Sequence, residues 1–347
     1  NVNYPISGSK TTFFGGCGLT STVEDYAKFM QMILNKGKYN NAQIIGKKTY
    51  ETLVTGQGYF SSWGDSESSL AFSLLNEKDF ALSTNRGHAH YLAKGGNLNS
   101  MISEIYGKST GCSKGKGGSM HLFKADKNFF GGHGIVGAQV PLGTWIAFAN
   151  KYLNKKTVTF CFFGDGAVNQ GQVYEAFNMA ALWQLPIIYI IENNQYGMGT
   201  SVERASAMTE LFRRGESFGI KGYEIDGMDP LSVHLCMKKI YQQVLNENKG
   251  PILIEAKTYR YRGHSMSDPG KYRTRQEIQE TRENRDPIER VRTFLIENNF
   301  YSEDELKTMD NKIKEEVLNA SEEARDMDLP KESILFDDVY YENGINK

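Results

Sequence analysis

A carboxylate between two glycines, Gly164-Asp165-Gly166, is followed after 26 residues by a pair of amides, Asn193-Asn194. One carboxylate, one amide and a loop carbonyl form an oxygen-rich set that suits a hard ion such as magnesium, which keeps water and substrate phosphates as its other ligands. The glycines fit the same chemistry, because backbone without a side chain can approach a phosphate closely. A structural βαβ unit would use the same residues as turns, so the residues alone leave both readings open.

The flanking text predicts what must position them. Thr157–Phe163 is β-branched and aromatic, Val168–Trp183 has helical apolar spacing, and Ile187–Ile191 is a buried-strand run. In a right-handed βαβ unit both strands point the same way, so Asp165 and Asn193-Asn194 fall at one carboxyl edge, where α/β sheets bind ligands. Alternation continues with a strand at Ile220–Ile225, a turn at Asp226–Asp229, a helix over 230–247 and a strand over 251–258. The predicted fold class is α/β, with a doubly wound, mainly parallel sheet. A short strand at Lys78–Ser83 and helices at Leu98–Tyr106 and Val140–Tyr152 precede this unit, and charged helices at Pro287–Asn298 and Glu303–Arg325 follow it as a solvated face and subunit contact.

Bulk properties exclude some classes of partner. Within 347 residues, 40 Lys and Arg balance 41 Asp and Glu, which gives no electrostatic footprint for nucleic acid or a membrane surface. Apolar runs such as Leu185–Ile191 fall far short of a membrane span, and no signal or transit pattern is expected at the N-terminus. Cys17, Cys112, Cys161 and Cys236 are widely separated, which suits a reducing compartment and predicts no cysteine chemistry.

The spacing of GDG and NN, and above all the text GDGAVNQGQVYEAFNMAALW and ENNQYGMGTS, resembles the thiamine-diphosphate-dependent 2-oxo acid dehydrogenases, and among them the alpha subunits of the pyruvate dehydrogenase first component. The resemblance covers residues 67 to 347. It implies that Asp165, Asn194 and the carbonyl of Tyr196 hold magnesium, and that Arg86, Gly134, Ile135, Val136, Gly166, Ala167, Arg204 and His264 contact thiamine diphosphate. His264, in YRYRGHSMSDP, would lie beside the diphosphate and act on the acyl-transfer path. The implied activity is oxidative decarboxylation of pyruvate with transfer of the acetyl group to a lipoyl group of a partner acyltransferase, in an α2β2 assembly whose beta subunit supplies the glutamate that protonates the cofactor. Ser201 and Ser265 match serines phosphorylated in mitochondrial relatives. The implied compartment is the bacterial cytoplasm, or the mitochondrial matrix in a eukaryote. Alternatives are an acetoin or branched-chain 2-oxo acid substrate, or a folded but incompetent chimeric subunit. Asn85 stands where the family has tyrosine, and forfeits a hydroxyl contact.

Other stretches carry weaker signals. Gly111-Cys-Ser-Lys-Gly-Lys-Gly-Gly-Ser-Met-His121 could cradle phosphate or be a structural turn near the pocket. Gly132-His-Gly-Ile-Val-Gly137 matches a dinucleotide fingerprint, but Asp126–Phe130 is a poor strand and the next carboxylate, Asp165, lies inside a glycine turn, so nicotinamide binding is not expected. His88 and His90 are read as loop or supporting histidines rather than a metal pair. Residues 1–66 resemble part of a serine β-lactamase-like hydrolase without its nucleophile, with a helix capped by Ser21 or Thr22 and ended by Gly37, so the expected organisation is 1–66, a cofactor domain at 67–285 and a helical tail at 286–347.

Overall fold

The computed structural model describes residues 78–247, 249–265 and 268–337, and the strand residues of one short hairpin, β1 (Lys38–Tyr39) against β2 (Ala42–Gln43). The chain divides into two compact units, Asn1–Gln57 and Gly58–Lys347. The helix predicted after Ser21 lies outside the described residues. So does Ser7-Gly8-Ser9-Lys10, which carries the bare S-x-x-K spacing; the expectation that this segment lacks that pair is therefore corrected by the sequence itself.

In the second unit, β3 (Phe80–Thr84), β4 (Phe129–His133), β5 (Thr159–Gly164), β6 (Ile187–Asn193), β9 (Lys221–Asp226) and β10 (Ile252–Lys257) form one sheet in the order β4-β3-β5-β6-β10-β9. Every pairing in it is parallel. A separate two-stranded ribbon, β7 (Tyr196–Gly197) with β8 (Thr200–Ser201), follows β6. The helices are α1 (His88–Ala93), α2 (Leu98–Ile105), α3 (Gln139–Tyr152), α4 (Gly171–Leu182), α5 (Val202–Ala205), α6 (Pro230–Glu247), α7 (Arg275–Arg285), α8 (Pro287–Glu297) and α9 (Glu303–Asp326).

Both faces of the sheet are covered, which is why its central strands read as nearly continuous apolar runs rather than alternating. On one face Phe160, Phe162, Ile188, Ile190 and Ile254 pack with Met101 of α2 and Met237 and Ile240 of α6. On the other, Cys161, Phe163, Tyr189, Ile191 and Leu253 pack with Ala147 of α3 and Val173 and Phe177 of α4. Each such buried side chain contributes roughly 1.5–3 kcal/mol, so the centre of the sheet is the rigid part from which the loops hang.

Two expectations change. A strand does precede the glycine run after 132: β4 starts at Phe129, and Gly131, at φ +79°, allows the bulge where its register with β3 shifts. Phe129 and Phe130 supply the strand propensity that Asp126 and Lys127 obscure, since the latter belong to a 3-10 turn. Strand β3 nevertheless separates β4 from β5, so no carboxylate lies at the end of a neighbouring strand as a dinucleotide site needs. His88 and His90 lie on a helix, α1, rather than in a loop.

Candidate functional site

The chain passes from β3 leftward to β4, then from β5 rightward to β6, so the winding reverses between the adjacent strands β3 and β5. Ligands of open α/β sheets sit in the crevice at the carboxyl ends of such strands. A cavity of about 310 Å³ lies there, lined by Thr84–Arg86 after β3, Gly164–Ala167 after β5, Glu192, Asn194 and Tyr196–Met198 after β6, and by His133, Val136, Gly137, Gln139 and His264.

Asp165 opens a 3-10 turn at the end of β5 and is only 4 % exposed. Burial pushes its carboxyl up to about 6, against hydrogen bonds from its own and Asn194's backbone N–H and the attraction of Arg260 and Arg86. A cation bound beside this carboxylate would offset the penalty. Register places Gly164 opposite Glu192, so the turn after β6 arrives beside it. There Asn194 Oδ1 accepts from Tyr196 N–H at 3.2 Å, and Asn193 Oδ1 from Gln195 N–H at 2.9 Å. Asp165, Asn194 and Tyr196 line one cavity, and a carboxylate, an amide oxygen and a backbone carbonyl are a donor set fit for a hard divalent ion. A Cβ built at Gly164 would meet open space, and one at Gly166 would meet only Gly197 Cα at 3.5 Å, which leaves the turn room for a phosphate.

Arg260, 1 % exposed, ties these oxygens together. Its guanidinium donates to Tyr196 O at 3.0 Å, Asn194 Oδ1 at 3.4 Å, Met198 O at 2.7 Å and the Tyr272 hydroxyl at 2.7 Å. Tyr272 donates onward to Asp268 Oδ2 at 2.8 Å, which also accepts the His264 N–H at 2.6 Å. Burial opposes ionisation of Asp268, but these bonds and one from Gly270 N–H hold its carboxyl below the ordinary range.

Arg86 Nη2 lies 2.7 Å from His264 Nδ1 and donates to His264 O at 2.8 Å. A guanidinium only donates, so Nδ1 is the acceptor and the ring proton sits on Nε2. Burial, then Arg86 and Arg260, lower the His264 pKa to about 4, which keeps the ring neutral. Arg86→Met is expected to move this titration upward, part of the way towards the ordinary 6.5, as read by NMR of the ring protons. No movement would show that the guanidinium is not among its causes.

Of the residues predicted for the site, Arg86, Val136, Asp165, Gly166, Ala167, Asn194, Tyr196 and His264 come together around the cavity. Gly134, Ile135 and Arg204 are not among its lining residues, and Arg204 is exposed on α5. Ser201 caps α5 by accepting the Arg204 N–H at 3.3 Å, and Ser265 is exposed beside His264. His88 lies 2.9 Å from Ser119 O, and His90 pairs with Glu192 at 3.0 Å; among the described residues no group of three or more His, Cys, Asp or Glu could hold a metal.

Sequence reasoning missed Glu255. This carboxylate on β10 is fully buried, accepts from Asn193 Nδ2 at 2.6 Å and Phe212 N–H at 2.9 Å, and pairs with Lys257 at 2.5 Å. It thereby braces the turn that presents Asn194 and Tyr196. The available signal was a charge inside the otherwise apolar run Ile252–Ala256. A larger cavity of about 490 Å³ opens further along the edge, between the ends of β9 and β10. There Lys257 pairs with Glu224 and Arg285 with Asp226, while Glu203 and Glu210 leave the lining with an excess of carboxylates.

Comparison with known proteins identifies the family to which the chain belongs. The family described as "Dehydrogenase E1 component" matches residues 64–333. A pyruvate dehydrogenase E1 component subunit alpha of Rickettsia bellii is 52 % identical over 271 residues, 78 % of this chain and 82 % of that protein. One from Rhizobium meliloti is 51 % identical over 265 residues, 76 % of each chain. A mitochondrial subunit alpha-1 of Arabidopsis thaliana is 49 % identical over 267 residues, 77 % of this chain and 68 % of that one.

Proposed function

Since the chain belongs to the dehydrogenase E1 component family, we propose that it is the alpha subunit of a pyruvate dehydrogenase, dependent on thiamine diphosphate and magnesium and completed by a beta subunit. The observation that carries this is that Asp165, Asn194 and Tyr196 line one cavity together with Arg86 and His264. Thiamine diphosphate, when bound, supplies the carbanion chemistry for decarboxylating a 2-oxo acid and passing on the two-carbon unit. Asp165, Asn194 and Tyr196 hold the magnesium, and Arg86 supplies a fork-shaped donor for the diphosphate. His264 stays neutral with its proton on Nε2, so it can donate to an anionic group without adding a charge. The recipient of the acetyl group is the lipoyl group of a partner acyltransferase.

Support for a partner comes from the mouth of the cavity. Val136 and Met198, which line it, are 57 % and 63 % exposed, and Ile135 beside them is 73 % exposed. An apolar rim of this kind is a surface for another chain to cover. A phosphate on Ser265 would place two negative charges next to His264 and repel the diphosphate, which makes this serine the proposed regulatory position; one on Ser201 would remove the cap of α5.

The test is calorimetric titration of thiamine diphosphate with magnesium into this chain, alone and assembled with a pyruvate dehydrogenase beta subunit. Binding that requires the beta subunit is expected. An assembled complex that takes up no cofactor would overturn the proposal and favour a folded but incompetent subunit.

A further inference from the structure

Glu104 sits in the last turn of α2 and is fully buried. Negative charge is disfavoured at a helix C-terminus, so something else must hold it there. Its two oxygens accept four backbone N–H groups. Oε2 takes those of Ser113 at 2.8 Å and Gly115 at 2.9 Å, and Oε1 those of Gly117 at 2.7 Å and Gly118 at 3.1 Å. Converging backbone N–H groups of this kind form the concavities in which proteins bind phosphate and other anions. The Gly/Lys loop after Gly111 therefore does make an anion cradle, but this chain's own carboxylate fills it. The glycines are there for that purpose: Gly115 and Gly118 have φ of +78° and +58°, and a side chain at Gly111 would collide with the Glu104 carboxylate.

From this cradle the loop reaches the cavity wall. Ser113 Oγ donates to His121 O at 2.8 Å, and a side chain at Gly117 would strike the same carbonyl. His121 Nδ1 lies 3.1 Å from Gly132 O, and its ring would stand 3.2 Å from a Cβ at Gly134. Those two glycines lead directly into Val136 and Gly137, which line the cavity.

We propose that Glu104 is a positioning residue for cofactor binding: it acts as a resident anion that locks residues 113–118 and, through His121, sets the backbone of residues 132–137. This rests on the thiamine diphosphate reading above. The chemistry separates it from a generic buried acid. Glutamine would present one acceptor oxygen to one pair of N–H groups and turn its own NH2 towards the other pair, so it satisfies half the cradle at best. Alanine would leave a cradle that a small carboxylate can refill.

The experiment measures thiamine diphosphate and magnesium affinity, with thermal unfolding alongside, for the assembled complex carrying wild type, Glu104→Gln or Glu104→Ala, in acetate or in chloride at equal ionic strength. Both variants are expected to bind roughly tenfold more weakly or worse, as loss of supporting groups around a metal site does. Acetate should restore Glu104→Ala and leave Glu104→Gln unchanged. Wild-type affinity in Glu104→Gln, even with lower thermal stability, would overturn the inference, as would a weakened Glu104→Ala that acetate does not restore. Should neither variant assemble, His121→Ala leaves the cradle intact and carries the test: weaker binding supports the relay, and unchanged binding overturns it. Failure of the wild-type complex to bind the cofactor would count against the functional proposal itself, not against the role of Glu104.

Discussion

Asp165→Asn is expected to abolish metal-dependent cofactor binding and at the same time to stabilise the metal-free protein at neutral pH. The first effect follows from removing the only full negative charge among the three oxygens offered to the ion; metal ions supply several kcal/mol of charge stabilisation at such sites. The second follows from linkage. Burial raises the carboxyl of Asp165 from its ordinary 3.8 to about 6, so in the folded state the charged form is disfavoured. Below about pH 4 the group is protonated whether the chain is folded or not, and parent and variant should unfold alike. As pH rises from about 4 to 6 the unfolded chain ionises first, and the parent loses stability that the neutral asparagine does not. Above about pH 6 the difference is complete and on the order of 3 kcal/mol. Denaturant unfolding of the metal-free proteins across this range measures it, and a difference that does not vary with pH would refute the account. With magnesium and cofactor present the order should invert, because only the parent gains from ligand binding.

Arg260→Met should have a comparable effect by the opposite route. The guanidinium is a buried cation whose donors reach Tyr196 O, Met198 O and the Tyr272 hydroxyl, and whose charge helps keep Asp165 and Asp268 ionised. Removing one partner from such a network typically costs about 3–5 kcal/mol, because the groups left behind stay buried and unsatisfied. Two loops would lose their common anchor, the turn at 194–198 and the segment from Tyr259 to Thr274. Faster proteolysis within the second loop and weaker cofactor binding are the expected signs. Arg260→Lys should not rescue them, since one ammonium cannot span acceptors that here engage Nη1 and Nη2 separately. A lysine variant that resists protease like the parent would sink this explanation.

The contrast between these two residues shows what was legible in the sequence. Asp165 and Asn194 could be found because their strands are buried on both faces and read as continuous apolar runs, and the handedness of the crossover then fixes one edge for both. Arg260 and Glu255 could not, although they are as buried. Their partners Tyr196 and Asn193 lie 64 and 62 residues away, and nothing in local spacing says that a charge will meet them. β4 was obscured because glycines hold its second half while Asp126 and Lys127 dilute its start. α1 was missed because six residues show too little of a helical period to separate it from a loop. The Gly/Lys loop is the instructive middle case. Its composition leaves a phosphate cradle and a structural turn both open, and only the fold shows its backbone N–H groups closing on Glu104.

The strand order also bears on how the site is made during synthesis. β10 is the last strand of the sheet in the chain, yet it lies inside the sheet, between β6 and β9. Asp165 and Asn194 therefore leave the ribosome well before the strand that carries Glu255 and the loop that carries Arg260. Until β10 inserts, β6 has an open edge and the turn after it has no brace, so a nascent chain already holding every proposed metal ligand would still have no organised place for the ion. Organisation of the proposed site thus waits on a completed sheet, and a chain stopped before residue 252 would be left with an exposed, strand-hungry edge on β6 rather than a weak enzyme.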